Sequence, residues 1–307
     1  MAEITASLVK KLRETTGAGM MDCKKALVET GGDIEAAVDW LRKMGISAAA
    51  KKADRAATEG LVGVATGARK GAVVEVNAET DFVARNELFQ QFVRAVADVA
   101  LEGTGDLETI NRSKAADDEA SIGERVTQLV ATIGENLSLR RSAILEVANG
   151  VVTSYMHNAV APGLGRIGVL VALESEADTR RLAELGKKIA MHVAASAPQA
   201  VSRDDVESGS LARERGVLEE QARASGRPDD IVAKMVEGRL RRFYGETCLL
   251  EQIFVIDGET PVGQVIEAAA KEFGTAVSVK GFVRFVLGEG LDKKDDDFAA
   301  EVTALSS

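Results

Sequence analysis

At 307 residues the chain exceeds one ordinary small core, and its length predicts two or three domains. Hydrophobic residues make up 46% but aromatics only 4%, with Trp40 the sole tryptophan, so the interior must be built from Ala, Val, Leu and Ile. A net charge of −10 repels a phosphate backbone, which argues against direct nucleic-acid binding and towards a protein partner.

Residues 1 to about 54 read as three short helices. Leu8, Val9 and Leu12 recur at helical spacing until Gly17 and Gly19 interrupt them. A second helix carries Met21, Lys24, Lys25, Ala26 and Leu27 up to Gly31-Gly32, and Asp33 is placed to cap a third with Ile34, Ala37, Val38 and Leu41 on one face. Gly45 is read as its stop, and the Ala-rich basic stretch Ala48 to Arg55 as an exposed helical linker. The period then changes to two. Leu61, Val62 and Val64, then Ala72, Val73, Val74 and Val76, predict two strands joined around Gly67 to Gly71. Helices are expected over about 86–101, with Leu88, Phe89, Phe92, Val93, Val96 and Val99 apolar, and over 121–139. Strands at Ile144–Val147, Val151–Tyr155 and Gly168–Leu173 precede a helix from Leu182 to Ala195. Strand, acidic turn and helix therefore occur twice, near 72–101 and 167–196, a weak internal duplication. Residues 206–243 are highly charged, with Ser225-Gly226-Arg227-Pro228 turning between two helical runs too poor in apolar anchors for a core of their own. Phe254-Val255-Ile256 and Gly281–Leu287 read as strands around a helix from Val262 to Phe273, and the acidic stretch Asp292 to Phe298 as the start of a terminal helix.

Chemical motifs are scarce. Gly163-Leu164-Gly165-Arg166-Ile167-Gly168 matches the dinucleotide pattern, but it runs into the strand Val169–Leu173, whereas a pyrophosphate needs a helix N-terminus there. A hairpin or loop is the better reading. Cys23 and Cys248 make no disulfide scaffold and read as reduced thiols, while His157 and His192 have no ligand spacing, so no metal or cofactor is expected. His192 lies within the apolar run Ile189 to Ala195 and reads as a satisfied, partly buried side chain. Met1 to Arg13 holds no apolar leader segment, and no stretch approaches the roughly eighteen apolar residues of a membrane span. The expectation is a cytoplasmic, soluble protein that binds neither membrane nor nucleic acid and is not an enzyme.

Three stretches carry a family resemblance: Leu8 to Arg13 through Thr16-Gly17-Ala18-Gly19-Met20-Met21-Asp22-Cys23-Lys24-Lys25-Ala26-Leu27; Glu75-Val76-Asn77 with Thr80-Asp81-Phe82-Val83-Ala84; and Ile133-Gly134-Glu135-Asn136 with Leu139-Arg140-Arg141. In order and spacing they resemble the signature segments of bacterial elongation factor Ts. The likeness continues through Ile189 to His192, Met235 to Arg239 and Gly281 to Phe285, close to the full chain. It implies an α+β protein with an N-terminal three-helix, ubiquitin-associated-like module over 1–54 and a two-part α+β core. The core's first subdomain spans 55–142 and its second 143–205 and 244–290. A coiled-coil-like antiparallel helical hairpin over 206–243 is inserted as an arm, and 291–307 form a short C-terminal module.

The family promotes GDP release from elongation factor Tu, so the implied partner is that factor, GDP-bound or nucleotide-free. From the residues alone, Phe82 either tucks under its own helix or faces outward. The resemblance implies the outward placement, with Phe82 as a wedge between two helices of the partner and Thr80, Asp81 and Val83 in the same turn. Met20 and Met21, by themselves readable as core filler, are implied to dock on the partner with Lys10, Leu12 and Arg13 nearby. Ile133 and His157 match further contact positions, although Val160-Ala161-Pro162 beside His157 departs from the tighter spacing of the family. The arm is implied to pair two copies as a homodimer or to meet another protein; read alone it is a solvated hairpin on its own core. Two rivals are a non-catalytic adaptor using the N-terminal module and, more remotely, an oxidoreductase using residues 163–168.

Overall fold

A computed structural model describes residues 4–16, 18–116, 118–223 and 228–291. The first three helices, α1 (Ala6–Thr16), α2 (Met20–Glu29) and α3 (Ile34–Lys52), enclose a small cluster of Val9, Leu12, Cys23, Ala26, Leu27 and Ala37. α2 stops where Gly31 and Gly32 take positive φ and the Gly32 amide reaches back to the Leu27 carbonyl. Asp33 caps α3 by accepting from the Ala36 amide at 3.0 Å.

The core begins with β1 (Glu59–Thr66) and β2 (Lys70–Ala78), an antiparallel hairpin, followed by a 3-10 turn at Asp81–Arg85 and α4 (Glu87–Glu102). Next come α5 (Leu107–Arg112), α6 (Ile122–Ile133) and the strands β3 (Leu137–Glu146), β4 (Gly150–Ala161) and β5 (Leu164–Glu174). The chain continues with α7 (Thr179–Ser196), α8 (Ser208–Arg223), α9 (Asp229–Thr247), α10 (Val262–Phe273) and β6 (Ser278–Val286). The result is a mixed α and β architecture. Among the described residues the strands form one antiparallel sheet in the order β3-β2-β1-β5-β4, with β6 also on β5. β1 meets β5 only at Val62–Gly165 and Gly63–Leu164, and β6 takes over that side of β5 from Ile167 onwards. The sheet is therefore two three-stranded halves with a short seam.

Alternation along the central strands shows how the halves are layered. Ala72, Val74, Val76 and Ala78 of β2 face a core under α4, α5 and α6, while Val169, Val171 and Leu173 of β5 face a second core under α7 and α10. The intervening residues Val73, Leu170 and Ala172 meet Val62, Val152 and Phe285 in a third layer. Both faces of β2 and β5 are consequently buried. Two glycines permit the close stacking: a Cβ added at Gly168 falls 2.6 Å from Val62 Cγ1, and one at Gly71 falls 2.7 Å from Val152 Cγ1. At the edge of this layer lies Glu75, fully buried. Its carboxylate accepts from Arg140 (2.9 Å), Arg141 (2.5 Å), Asn77 (3.1 Å) and the Gly288 amide (2.9 Å), tying β2 and β3 to the chain beyond β6. Burial raises its pKa, but those four donors outweigh it and hold the carboxyl below the usual carboxylate range.

Several local readings are corrected. Gly45 does not end α3, which runs on to Lys52 through most of the expected linker. A glycine inside a helix costs about 1 kcal/mol, and packing of α3 on α6 offsets it: a Cβ at Gly45 would touch Ala131, and Arg42 pairs with Glu124. The helix expected to reach 139 ends at Gly134, left-handed at φ 90, and β3 already starts at Leu137. Ile144–Val147 is the far part of that strand, paired with β2. Phe254–Ile256 is a loop rather than a strand, closed by Phe254 N to Thr260 O and by an Asp257 side chain that accepts from the amides of Glu259 and Thr260. α8 and α9 do enclose a small cluster of their own, Leu218, Ala222, Val232, Val236 and Leu240. The turn expected at 225–228 falls largely outside the described residues, as do the terminal helix from Asp292 and nearly all of 291–307.

Candidate functional site

Phe82 stands on a turn held on both sides. β2 delivers the chain fully buried as far as Ala78, and the 3-10 turn then drives Val83 into the first core at 4% exposure. Successive residues of a 3-10 turn point about 120° apart, so inward Val83 sends the ring of Phe82 out of the core. The ring is 76% exposed, the highest value among the described large hydrophobic residues. Burial of a Phe is worth about 1.5–3 kcal/mol, and the isolated chain leaves that unrealised. The turn is braced from behind. Asn86 closes it onto the Val83 carbonyl (2.9 Å) and caps α4 by accepting from Leu88 and Phe89, while Gln90 donates to the Ala84 carbonyl at 2.8 Å. Thr80 gives both its amide and its hydroxyl to Glu135, so it acts as a strut, and Asp81 is exposed beside the ring.

In the N-terminal unit, Met20 and Met21 open α2 and are 48% and 75% exposed. Both stay out of the small core. Lys10 and Arg13 are exposed on α1, with Lys10 3.8 Å from Glu14. Leu12 is different: it is wholly buried in that core, and reading it as a contact residue is corrected to a support for the helix that carries Lys10 and Arg13. Val83 is corrected in the same sense. Ile133 is half-buried against the first core at the end of α6. His157 is exposed on β4, its Nδ1 3.3 Å from the Tyr155 hydroxyl. The departure at Val160-Ala161-Pro162 takes the form of a register shift between Ala159 and Ala161, just after Asn158 at φ 50. The structure thus brings Thr80, Phe82 and the end of α6 together, joins the N-terminal unit to α6 through α3, and leaves His157 on a separate strand.

Leu88, read among the apolar residues of α4, is exposed at its start, and Val28, which the periodicity reading does not single out, is exposed on α2. Val28 follows Met21 and Lys24 at helical spacing, which is the signal that marks one continuous stripe. Glu79 is a further residue that residue-type reasoning passes over; its carboxylate accepts from the Asn136 amide at 2.6 Å.

The other chemical candidates resolve into packing. Gly165 and Gly168 lie inside β5, where a Cβ at Gly165 would fall 2.8 Å from Met156 Sδ, so the glycine pattern makes strand contacts and opens no helix. His192 is fully buried, with Nε2 2.9 Å from the Gln252 side-chain oxygen and Nδ1 accepting from the Val255 amide at 3.2 Å. The Gln252 amide nitrogen donates to the Glu246 and Ser196 carbonyls, which makes its oxygen the acceptor and His192 the neutral Nε2–H form. Burial lowers its pKa, only partly opposed by the Gln252 bond. A braced aromatic ring facing solvent is suited to insertion into another protein's surface.

The family model described as Elongation factor TS matches residues 79–289. A Rhodospirillum rubrum protein named Elongation factor Ts is 63% identical over 305 residues, covering 99% of each chain. The proteins of the same name from Paramagnetospirillum magneticum (60% over 304 residues, 99% of this chain and 97% of that one) and Rhodospirillum centenum (58% over 306 residues, 100% of each) are similar throughout.

Proposed function

The chain belongs to the elongation factor Ts family of translation elongation factors, and from that premise we propose that it releases GDP from elongation factor Tu by inserting Phe82 as a wedge. The observation that carries the reading is the Phe82 ring, 76% exposed on a turn fixed from both sides. A ring left in water on a rigid support gains its burial energy only when a partner closes over it. In this account it separates two helices of the partner's nucleotide domain, disturbs the magnesium site and weakens the hold on GDP, after which GTP rebinds. Exchange is then a negative coupling between factor and nucleotide, necessarily reciprocal, and involves no covalent step. Asp81 lies at the contact beside the ring, while Thr80 and Val83 hold it.

The N-terminal unit, with the architecture of a ubiquitin-associated-like module over 1–54, docks through Met20 and Met21 with Lys10 and Arg13. Ile133 and His157 add contacts from the two subdomains, 55–142 and 143–205 with 244–290. The arm over 206–243 is an antiparallel coiled-coil hairpin through which two copies pair. Phe82→Ala is expected to lose about 1–3 kcal/mol of coupling, roughly 5–150-fold in stimulated GDP release at saturating factor. Equal stimulation by variant and wild type would remove the wedge.

A further inference from the structure

The last paired residues of β2 and β3 are Ala78 and Leu137, and the main-chain ladder ends there. Beyond it, side chains continue the pairing in both directions. Glu135 places one carboxylate oxygen on the Thr80 amide (2.9 Å) and the other on the Thr80 hydroxyl (2.6 Å). Glu79 returns the contact by accepting from the Asn136 amide at 2.6 Å. The Asn136 side chain in turn donates to the carbonyls of Ala53 (3.3 Å) and Arg55 (2.8 Å), where the chain leaves α3, and Arg55 lies 3.5 Å from Glu79. Hydrogen bonds from an amide and a hydroxyl to a carboxylate are charge-assisted and about twice as strong as neutral ones. Two segments far apart in sequence, the exit of the N-terminal unit and the root of the Phe82 turn, thus hang on one corner between α6 and β3.

We propose that Glu135 is a positioning residue for nucleotide exchange: with Asn136 it splints the Phe82 turn to the exit of the N-terminal unit, so that docking of that unit sets the place where the ring enters. The inference rests on the wedge reading. Without the splint the ring remains exposed, but its turn is fixed only from behind, and insertion no longer follows from docking. Binding through the N-terminal unit is retained while the rate of GDP release at saturation falls.

The test is a double-mutant cycle on release of a fluorescent GDP analogue from elongation factor Tu at saturating full-length protein. Glu135→Ala is expected to slow release about tenfold alone and less than about twofold in a Phe82→Ala background, because both changes remove one action. Glu135→Gln, which keeps one acceptor oxygen, is expected to recover part of the rate. Thr80→Val, which deletes only the hydroxyl, is a milder second probe that leaves the fold in place. Hydrogen exchange of the Thr80 amide, measured without any partner, is expected to quicken in Glu135→Ala. If Phe82→Ala slows release while Glu135→Ala and Thr80→Val do not, the positioning role is overturned. It is equally overturned if the Glu135→Ala loss persists in full without Phe82, which would indicate a direct contact or general unfolding. If Phe82→Ala itself is silent, the wedge reading fails and takes the exchange role of Glu135 with it; an unaltered Thr80 amide would then remove the splint as well.

Discussion

His192 meets one donor and one acceptor, a pair that only one of its protonation states satisfies. With Nδ1 accepting from Val255 and Nε2–H turned to Gln252, a proton added at Nδ1 would face the Val255 N–H. Its folded pKa is therefore lowered from the ordinary 6.5, burial being the larger cause. The unfolded chain then binds the extra proton more readily. The stability contributed by His192 is complete above about pH 6.5 and is lost as pH falls towards the folded pKa, at up to about 1.4 kcal/mol per pH unit. Glu75, also lowered, adds a second loss below the ordinary glutamate range of about 4.3. Chemical denaturation across pH 4.5–7.5 is expected to show the upper decline in the wild type and a flatter profile in His192→Gln. A wild-type profile already flat through that window would contradict the assigned tautomer. Residue type alone reveals little of this. The sequence shows His192 in an apolar helix, yet its partners come from a loop about sixty positions later, and periodicity within one helix carries no trace of them. Leu12 and Phe82 make the same point in opposite directions: both are large and apolar near charged neighbours, and only tertiary placement separates a wholly buried side chain from one 76% exposed.

At the scale of elements, α8 and α9 behave as an appendage. Their cluster of Leu218, Ala222, Val232, Val236 and Leu240 is shared with neither half of the sheet, and Val217 is left exposed. The chain enters and leaves them at neighbouring points, since the Gln199 amide donates to Thr247 (2.8 Å) and Ala200 bridges Cys248. Residues 206–240 can therefore be removed and the gap closed without parting a strand. Light scattering is expected to show a dimer for the full chain and a monomer after this deletion. An unchanged mass would exclude the arm as the route of pairing. Elements with strong period or composition were legible from sequence: the Val-rich strands β2 and β5, the helix α4 and the two charged helices of this arm. Boundaries set by long-range packing were not. Gly45 has the local signature of a stop but lies against Ala131, and the loop at 253–257 has the β-rich composition of a strand but is closed by its own hydrogen bonds.

For the whole molecule, the exposed candidate residues are spread over the two halves of the sheet and the N-terminal unit. Phe82 stands on the first half and Met21 with Val28 on α2, while β4 of the second half presents His157. In the proposed account a partner touched at several such points is held by their sum, and part of that binding energy goes into distorting its nucleotide site. The sequence resemblance anticipated Phe82, Met20 and Met21 as exposed groups. It did not separate exposed from inward-turned positions, because Val83, in the same motif as Phe82, is buried and Thr80 is turned to Glu135.

The most direct test of the central claim is release of a fluorescent GDP analogue from elongation factor Tu with a trace of this protein present. Acceleration of the whole nucleotide pool at substoichiometric amounts, each copy serving many partners in turn, is the predicted result. Release that stays at the spontaneous rate although the two proteins bind would contradict it and leave a binding partner without exchange activity.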